Sequence, residues 1–412
     1  MKRLLIISII IGSIVPAAAQ QETGAGARAF ALANNNTALS SGVSDLYWNP
    51  AALAFSVSRE FQASLYGMKL ASSSEFFGTT TPDDLQRFRI GNAGFSFALP
   101  TTRGGMSIAG SYSNPVILDD VFRFSGDYLL NDSTVSVDRS YRTTGNLNYW
   151  TVGLGLQVAK NLSVGLSTSL VTGRGSADIY YESTPVYNDT IFGGVYDNFT
   201  ADDHYFGYDV RAGVFYKWEM LQAGLRFVLP QVLRFKSYLD GTFDNQPLYE
   251  TQIFNMYSSF SGALGFSAVF PFLTVTTELR GKLPYDYLFP VKKIPDNSQA
   301  GYYKSGGGIG VEAPVVVLPI VLRAGYSYDD LDLHPWVYDA VENPDNTVDI
   351  DWTDEATIER NLHRITCGIC FTTASTSFDL SYGFSTWGIT VRENLEKIYT
   401  LHRVLASFAI RF

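Results

Sequence analysis

Charge, cysteine and long apolar runs are what this chain has little of, and each shortage removes a class of protein. Asp, Glu, Lys and Arg make up only 17% of the 412 residues while hydrophobic residues reach 46%, a balance foreign both to long solvated helical arrays and to disordered chains. Lys and Arg number 30 against 40 acids, giving a formal charge of −10. The clustered positive charge that a phosphate backbone demands is therefore missing, and nucleic acid is not expected as a partner. The two cysteines, Cys367 and Cys370, sit three apart in a stretch that alternates like a strand. Strand rise puts their Cα atoms about 10 Å apart, beyond disulfide reach, so they read as free thiols. No second CxxC occurs and the histidines (His204, His334, His363, His402) are scattered, so no metal site and no cofactor is expected. HExxH, P-loop, dinucleotide and GxSxG patterns are absent as well; the chain reads as a non-enzyme with no catalytic residues. After residue 19 no run of 18 apolar residues appears, which removes a transmembrane helix.

What is present begins with an export signal. Lys2 and Arg3 precede the apolar run Leu4 to Val15, and Pro16-Ala17-Ala18-Ala19 follows. This is a secretory signal peptide over 1–19 with cleavage near Ala19. No cysteine stands at the start of the mature chain, so no lipid anchor is expected.

From residue 60 to 412 the apolar period is 2, in segments of roughly ten residues. Trp150, Val152, Leu154, Leu156 and Val158 alternate with Thr151, Gly153, Gly155 and Gln157. Leu162, Val164, Leu166 and Leu170 alternate with Ser163, Gly165, Ser167 and Ser169, after a turn of Lys160-Asn161 alone. About fourteen such segments can be marked. Their connections alternate between short turns and long polar stretches such as 115–145, 173–203 and 329–360. Even strand number and alternating connections are the signature of an all-β transmembrane antiparallel barrel in a Gram-negative outer membrane, with short periplasmic turns, long outer loops and both ends periplasmic. The aromatic end, Phe408 to Phe412, resembles the assembly signal of bacterial outer-membrane barrels. Arg226, Glu278, Arg280, Arg323, Arg364 and Asp379 fall on the face opposite the lipid, in the lumen.

Residues 20–59 do not alternate. They hold a short helical stretch, Ala27 to Leu32, the run Asn34-Asn35-Asn36, and Trp48-Asn49-Pro50-Ala51. Asn49 before Pro50 is pushed out of the α region, and its side chain can cap or make an Asx turn, so a sharp bend is expected there. Gly26-Ala27-Arg28-Ala29, Thr37-Ala38-Leu39 and Leu46-Tyr47-Trp48-Asn49-Pro50-Ala51 resemble the amino-terminal region of FadL/TodX-type outer-membrane transporters of hydrophobic compounds. The run Asn34 to Asn36 departs from the small residues usual in that region. The resemblance implies a fourteen-strand barrel plugged by an amino-terminal hatch (20–59), and passive transport of long-chain fatty acids or aromatic hydrocarbons. Its implied partners are a hydrophobic small-molecule ligand, outer-membrane lipid and lipopolysaccharide, and the barrel-assembly machinery during biogenesis. Two alternatives stay open: a PorV-like secretion-associated barrel, which shares Trp-Asn-Pro-Ala and would bring secretion partners, and a general porin with an open polar lumen.

Three further sets of residues are candidates for function. Ile117, Val121, Phe124 and Tyr128 recur at i, i+4, i+7 and i+11, a spacing that fits an amphipathic helix able to capture ligand outside the cell, or residues that simply pack the stretch onto the barrel rim. Arg226, Arg280 and Arg323 are lumenal candidates for a ligand head group. Gly306, Gly308 and Gly310 share one strand face and either leave room beside a hatch or for a ligand chain, or mark a plain bend in the wall. The acidic stretch 329–360 superficially suggests calcium, but Ile350 stands where an EF-hand needs Gly; it reads as a solvated loop.

Overall fold

A computed structural model describes residues 21–22, 24–56, 58–130, 133–187, 190–191, 194–243, 245–283, 304–315, 317–330, 336–340, 361–391 and 395–412. The expected signal peptide and most of the acidic stretch 329–360 lie outside them. Fourteen strands form one ring: β1 (Glu60–Phe76), β2 (Thr79–Leu99), β3 (Met106–Ile117), β4 (Ser133–Ala159), β5 (Leu162–Tyr187), β6 (Val195–Trp218), β7 (Leu221–Val228), β8 (Ser261–Val269), β9 (Thr274–Lys282), β10 (Lys304–Val315), β11 (Ile320–Asp330), β12 (Asn361–Thr372), β13 (Thr376–Val391) and β14 (Leu395–Arg411). Each pairs antiparallel with the next, and β14 returns to β1 from Glu60↔Arg411 to Phe76↔Leu395. Closure gives every strand two neighbours, which is what lets strands stand in a medium without water.

Alternation decides which side chains face out. On β4, Trp150, Val152, Leu154, Leu156 and Val158 are exposed, while Gly and Ser on the opposite face of β4 and β5 turn inward. Tyr326–His363 and Tyr382–His402 pair across strands on the outside at 2.9 and 2.7 Å, aromatic bodies with polar tips of the kind that suits a lipid interface. Cys367 and Cys370 are free, the first exposed and the second buried.

Two expectations are corrected. The stretches 115–145 and 173–203 are mostly strand, because β4, β5 and β6 run on past the ring and pair with each other up to Thr134↔Val186 and Ser183↔Val195. The residues expected to form a helix are extended too: Ile117 ends β3, and Val121, Phe124 and Tyr128 lie on a strand, Asp120–Leu130, paired with β4 from Asp120↔Thr143 onward. The apolar spacing of 4, 3 and 4 is overridden by tertiary pairing, and the four residues divide between two faces. Val121 packs with Tyr66, Leu70 and Ile117 in one apolar cluster, while Phe122 and Phe124 join Tyr141 and Phe199 in another. Phe124 lies 4.9 Å from Phe76, and Tyr128 stacks on Phe77 at 5.5 Å between centroids.

Candidate functional site

Residues 24–55 fold as short helical pieces, α1 (Ala27–Ala31) and α2 (Asp45–Trp48), and 3-10 turns at Gly42–Ser44 and Pro50–Phe55. Almost all of this segment is buried against the inward faces of the ring. Asn49 ends α2 in an extended conformation, φ −161° and ψ 99°, as a residue before proline must. Pro50 opens the next turn, where its missing N–H is not needed. The Asn49 amide then makes three hydrogen bonds: Oδ1 accepts from Ala51 N at 3.2 Å, and Nδ2 donates to Thr37 O at 2.9 Å and to Val214 O of β6 at 3.1 Å. Trp48 is buried and its Nε1 donates to Ala25 O at 2.8 Å. Gly24, at φ +71°, lies under the Trp48 ring, where an added Cβ would sit 2.6 Å from Cη2.

The wall is shaped to receive this segment. An added Cβ would reach Leu46 at 2.7 Å from Gly153 on β4, Pro50 Cδ at 3.2 Å from Gly213 on β6, the Thr37 carbonyl carbon at 2.6 Å from Gly224 on β7, and Ala38 N at 2.9 Å from Gly265 on β8. On the far side the same holds at Gly308 against Asn35 (2.7 Å), Gly310 against Leu32 (2.9 Å) and Gly368 against Ala31 (2.6 Å). Asn34 to Asn36, unusual in bulk, are accommodated because the wall supplies the small residue opposite Asn35. Lumenal hydroxyls bind the segment's carbonyls: Ser163 Oγ donates to Ala51 O at 2.7 Å, Ser167 Oγ to Leu46 O at 2.9 Å, and Thr366 Oγ1 to Ala31 O at 2.8 Å. Glu278 accepts from Thr37 N at 2.9 Å. Within the segment, burial pushes the Asp45 carboxyl up to about 8, against the lowering effect of hydrogen bonds donated by Ser41 N at 2.8 Å and Ser40 Oγ at 3.2 Å.

The three head-group candidates divide sharply. Arg323 is held between Glu312 and Asp379. Arg280 bonds Glu278 at 3.1 Å, Asp329 at 2.8 Å and Asn35 Oδ1 at 2.9 Å. Both serve the wall and the segment. Arg226 is different: only 4% exposed, it lies 5.5 Å from the Trp48 ring centroid, and its Nε and Nη1 are buried with no hydrogen-bond partner among the described residues. It borders a cavity of about 260 Å³ between the amino-terminal segment and β4, β6–β12, whose walls include Trp48, Tyr47, Tyr149 and Leu362. Leu362 also belongs to the apolar cluster that contains Val121 and Ile117, so the cavity adjoins an apolar interior.

Of the receiving glycines the sequence pointed to Gly308 and Gly310, which do face Asn35 and Leu32, but not to those on the other strands, nor to where the wall breaks. For the others a signal was present in the Gly and Ser at inward positions 163 to 169 of β5. The break lies between β2 and β3, whose pairing stops at Asn92↔Ser113 although both strands continue. Asn114 and Pro115 also interrupt the β3–β4 register, which resumes at Val116↔Leu147; proline cannot donate to a ladder. Arg89 spans the break, donating to Asp119 at 2.7 Å and to Gly145 O at 2.8 Å. Gln21 and Glu22 pair with Ile117 and Val116. Val116 also lines the cavity.

No known protein family matches the chain by sequence, and no curated protein does. In fold it is similar to the crystal structure of the toluene transporter TodX of Pseudomonas putida, at 15% identity over 95% of this chain and 99% of that one with a TM-score of 0.61. It is also similar to a FadL homologue of Pseudomonas aeruginosa (12%, 96% and 99%, 0.62) and to the toluene transporter TbuX of Ralstonia pickettii (14%, 95% and 99%, 0.59). The likeness runs nearly end to end, and the fold is that of these FadL-type barrels.

Proposed function

We propose that this chain is an outer-membrane barrel for passive passage of small hydrophobic compounds, with residues 24–55 as a lumen plug. The observation that carries the reading is the fit of that segment to the ring: small residues of the wall face it on most strands, and an apolar interior lies beside it. An open aqueous pore has no use for either feature, so a general porin is disfavoured. The fold shared with transporters of toluene supports the same reading. The outward apolar face, Trp150 to Val158 on β4 alone, suits lipid contact.

A route follows from the site. Ligand would enter the apolar interior around Val121 and Ile117, pass to the cavity at Leu362, and leave sideways where β2 and β3 part beside Val116. Burial supplies the binding energy: a ligand chain of about twelve methylenes at ~0.8 kcal/mol each gains on the order of 10 kcal/mol before ordering costs. No other energy source is required. Conductance of the purified protein in planar bilayers tests the plug, with small and infrequent ion currents expected; a steady open-pore current from the wild-type chain would refute it. Native mass spectrometry of the detergent-extracted protein should show bound hydrophobic molecules, and their absence together with a co-purified protein would favour the secretion role instead.

A further inference from the structure

We propose that the cavity beside Trp48 is a binding site for aryl carboxylates, compounds with one aromatic ring and an ionised carboxyl group. The inference rests on the reading that the chain passes hydrophobic compounds, and it names a class that a purely apolar conduit would reject. The first observation is Arg226. A guanidinium removed from water without an ion pair is costly, and a carboxylate in the cavity that meets the part of the guanidinium bordering it recovers that loss through a charge-assisted hydrogen bond. Neighbouring Arg280 has its acceptors in Glu278 and Asp329, and Arg211 has Asp209 at 2.8 Å; Arg226 has no ion pair among the described residues.

The second observation is the charge of the lining. Arg211, Arg226, Arg280, Lys282, Lys304 and Arg364 border the cavity with Asp329 and Asp330, and even with Asp209 and Glu278 counted behind Arg211 and Arg280 the cations are in excess, in a chain whose formal charge is −10. Cations are concentrated where the chain as a whole is acidic, which raises the local concentration of anions. The third is shape. Tyr47, Trp48 and Tyr149 line the cavity, and Arg211, stacked 3.8 Å from the Tyr47 centroid, adds a guanidinium, so a ligand ring would contact aromatic and guanidinium groups. A volume of about 260 Å³ falls just under the ~300–1,000 Å³ of pockets for drug-sized ligands, room for one ring and a short acid arm and too little to enclose a long alkyl chain.

Calorimetry of the full-length protein in detergent tests this with three probes: 3-phenylpropanoate, its methyl ester and octanoate. The aryl acid is expected to bind at least tenfold more tightly than either of the others. Arg226→Gln should bring the acid to within about twofold of the ester, and Arg226→Lys should keep most of the preference. Equal binding of acid and ester by the wild type overturns the anion site while leaving passage of hydrophobic compounds intact. Octanoate binding as tightly as the aryl acid overturns the aromatic assignment. A full preference retained in folded Arg226→Gln removes Arg226 from the site. Should that variant fail to fold, the wild-type comparison and Arg226→Lys decide. Folded wild type that binds none of the probes refutes this site and counts against the passage reading as well.

Discussion

Replacing Asn49 by alanine should release the amino-terminal segment from the barrel without unfolding the barrel. The substitution deletes the acceptor of Ala51 N and the donor to Thr37 O and Val214 O, leaving three backbone groups in or near the lumen without their partner. Each such group costs ~1–3 kcal/mol when buried and unsatisfied, so docking of the segment should weaken by about 3–6 kcal/mol after partial relaxation. With each 1.4 kcal/mol worth tenfold, amides of residues 24–55 should exchange about 10² to 10⁴ times faster, while those of β13 and β14 keep wild-type protection. Hydrogen exchange read by mass spectrometry gives both values in one experiment. Ion conductance in planar bilayers should rise in parallel. Exchange and conductance at wild-type levels would show that Asn49 forms only a turn before β1 and that the segment is held by other means.

Gly224→Val should act on the same contact from the wall side: its Cβ would stand 2.6 Å from the Thr37 carbonyl carbon, a backbone atom that cannot step aside, so conductance should rise while strand content by circular dichroism stays constant. Arg323→Ala leaves Asp379 and part of the Glu312 pairing unmet in the lumen, and loss of a buried ion-pair partner should cost about 3–5 kcal/mol, read as a lowered unfolding temperature. Val152→Arg on the outward face of β4 should cost about 2–4 kcal/mol by urea unfolding in lipid vesicles if that face meets the bilayer midplane, whereas a cost near zero would deny the lipid contact. Asp45 gives a pH dependence. Its folded value of about 8 lies above the ordinary 3.8, so the folded segment binds the proton more tightly. The contribution is full below about pH 4, declines as pH rises through this window, and is gone above about pH 8. Exchange of residues 24–55, corrected for its intrinsic pH dependence, should speed up between pH 5 and 8 in the wild type and stay flat in Asp45→Asn.

The ring was legible because lipid-facing strands leave a strong record. Trp150 to Val158 alternating with Thr151 to Gln157 places every side chain of that stretch once the period is known, and each strand repeats the statement independently. Where strands leave the lipid the alternation inverts: the extensions of β4, β5 and β6 bury Val135, Val137, Tyr141, Ala177, Ile179, Phe199 and Ala201 together on one face and expose polar residues on the other, with Asp197 and Asp203 among the buried positions, so the stretches read as loop although they pair in register. The stretch Ile117 to Tyr128 misled for a related reason. Its apolar residues at 121, 122 and 124 serve two clusters on opposite faces of a strand, and a mixture of two strand faces imitates a helical stripe. For the candidate site, Trp48 to Ala51 was visible through Asn-Pro chemistry and the family resemblance, and Gly308 and Gly310 through their shared strand face, but most of the receiving surface was not, since which glycine meets which carbonyl depends on the shear of the whole ring. Among the arginines, nothing local distinguishes Arg226 from Arg280 or Arg323. Only the placement of Asp329, Glu312 and Asp379 on neighbouring strands shows which of them is already satisfied.

A plugged barrel of this kind should admit hydrophobic compounds and hold back water-soluble ones, which uptake by cells measures. A Gram-negative host lacking its own outer-membrane transporter for hydrophobic compounds would express this chain, and entry of radiolabelled toluene, phenylpropanoate and a long-chain fatty acid would be measured beside entry of a small sugar. The expected result is faster entry of at least one hydrophobic compound than in cells with empty vector, with sugar entry unchanged. Faster sugar entry with no gain for any hydrophobic compound would contradict the account and describe an open porin.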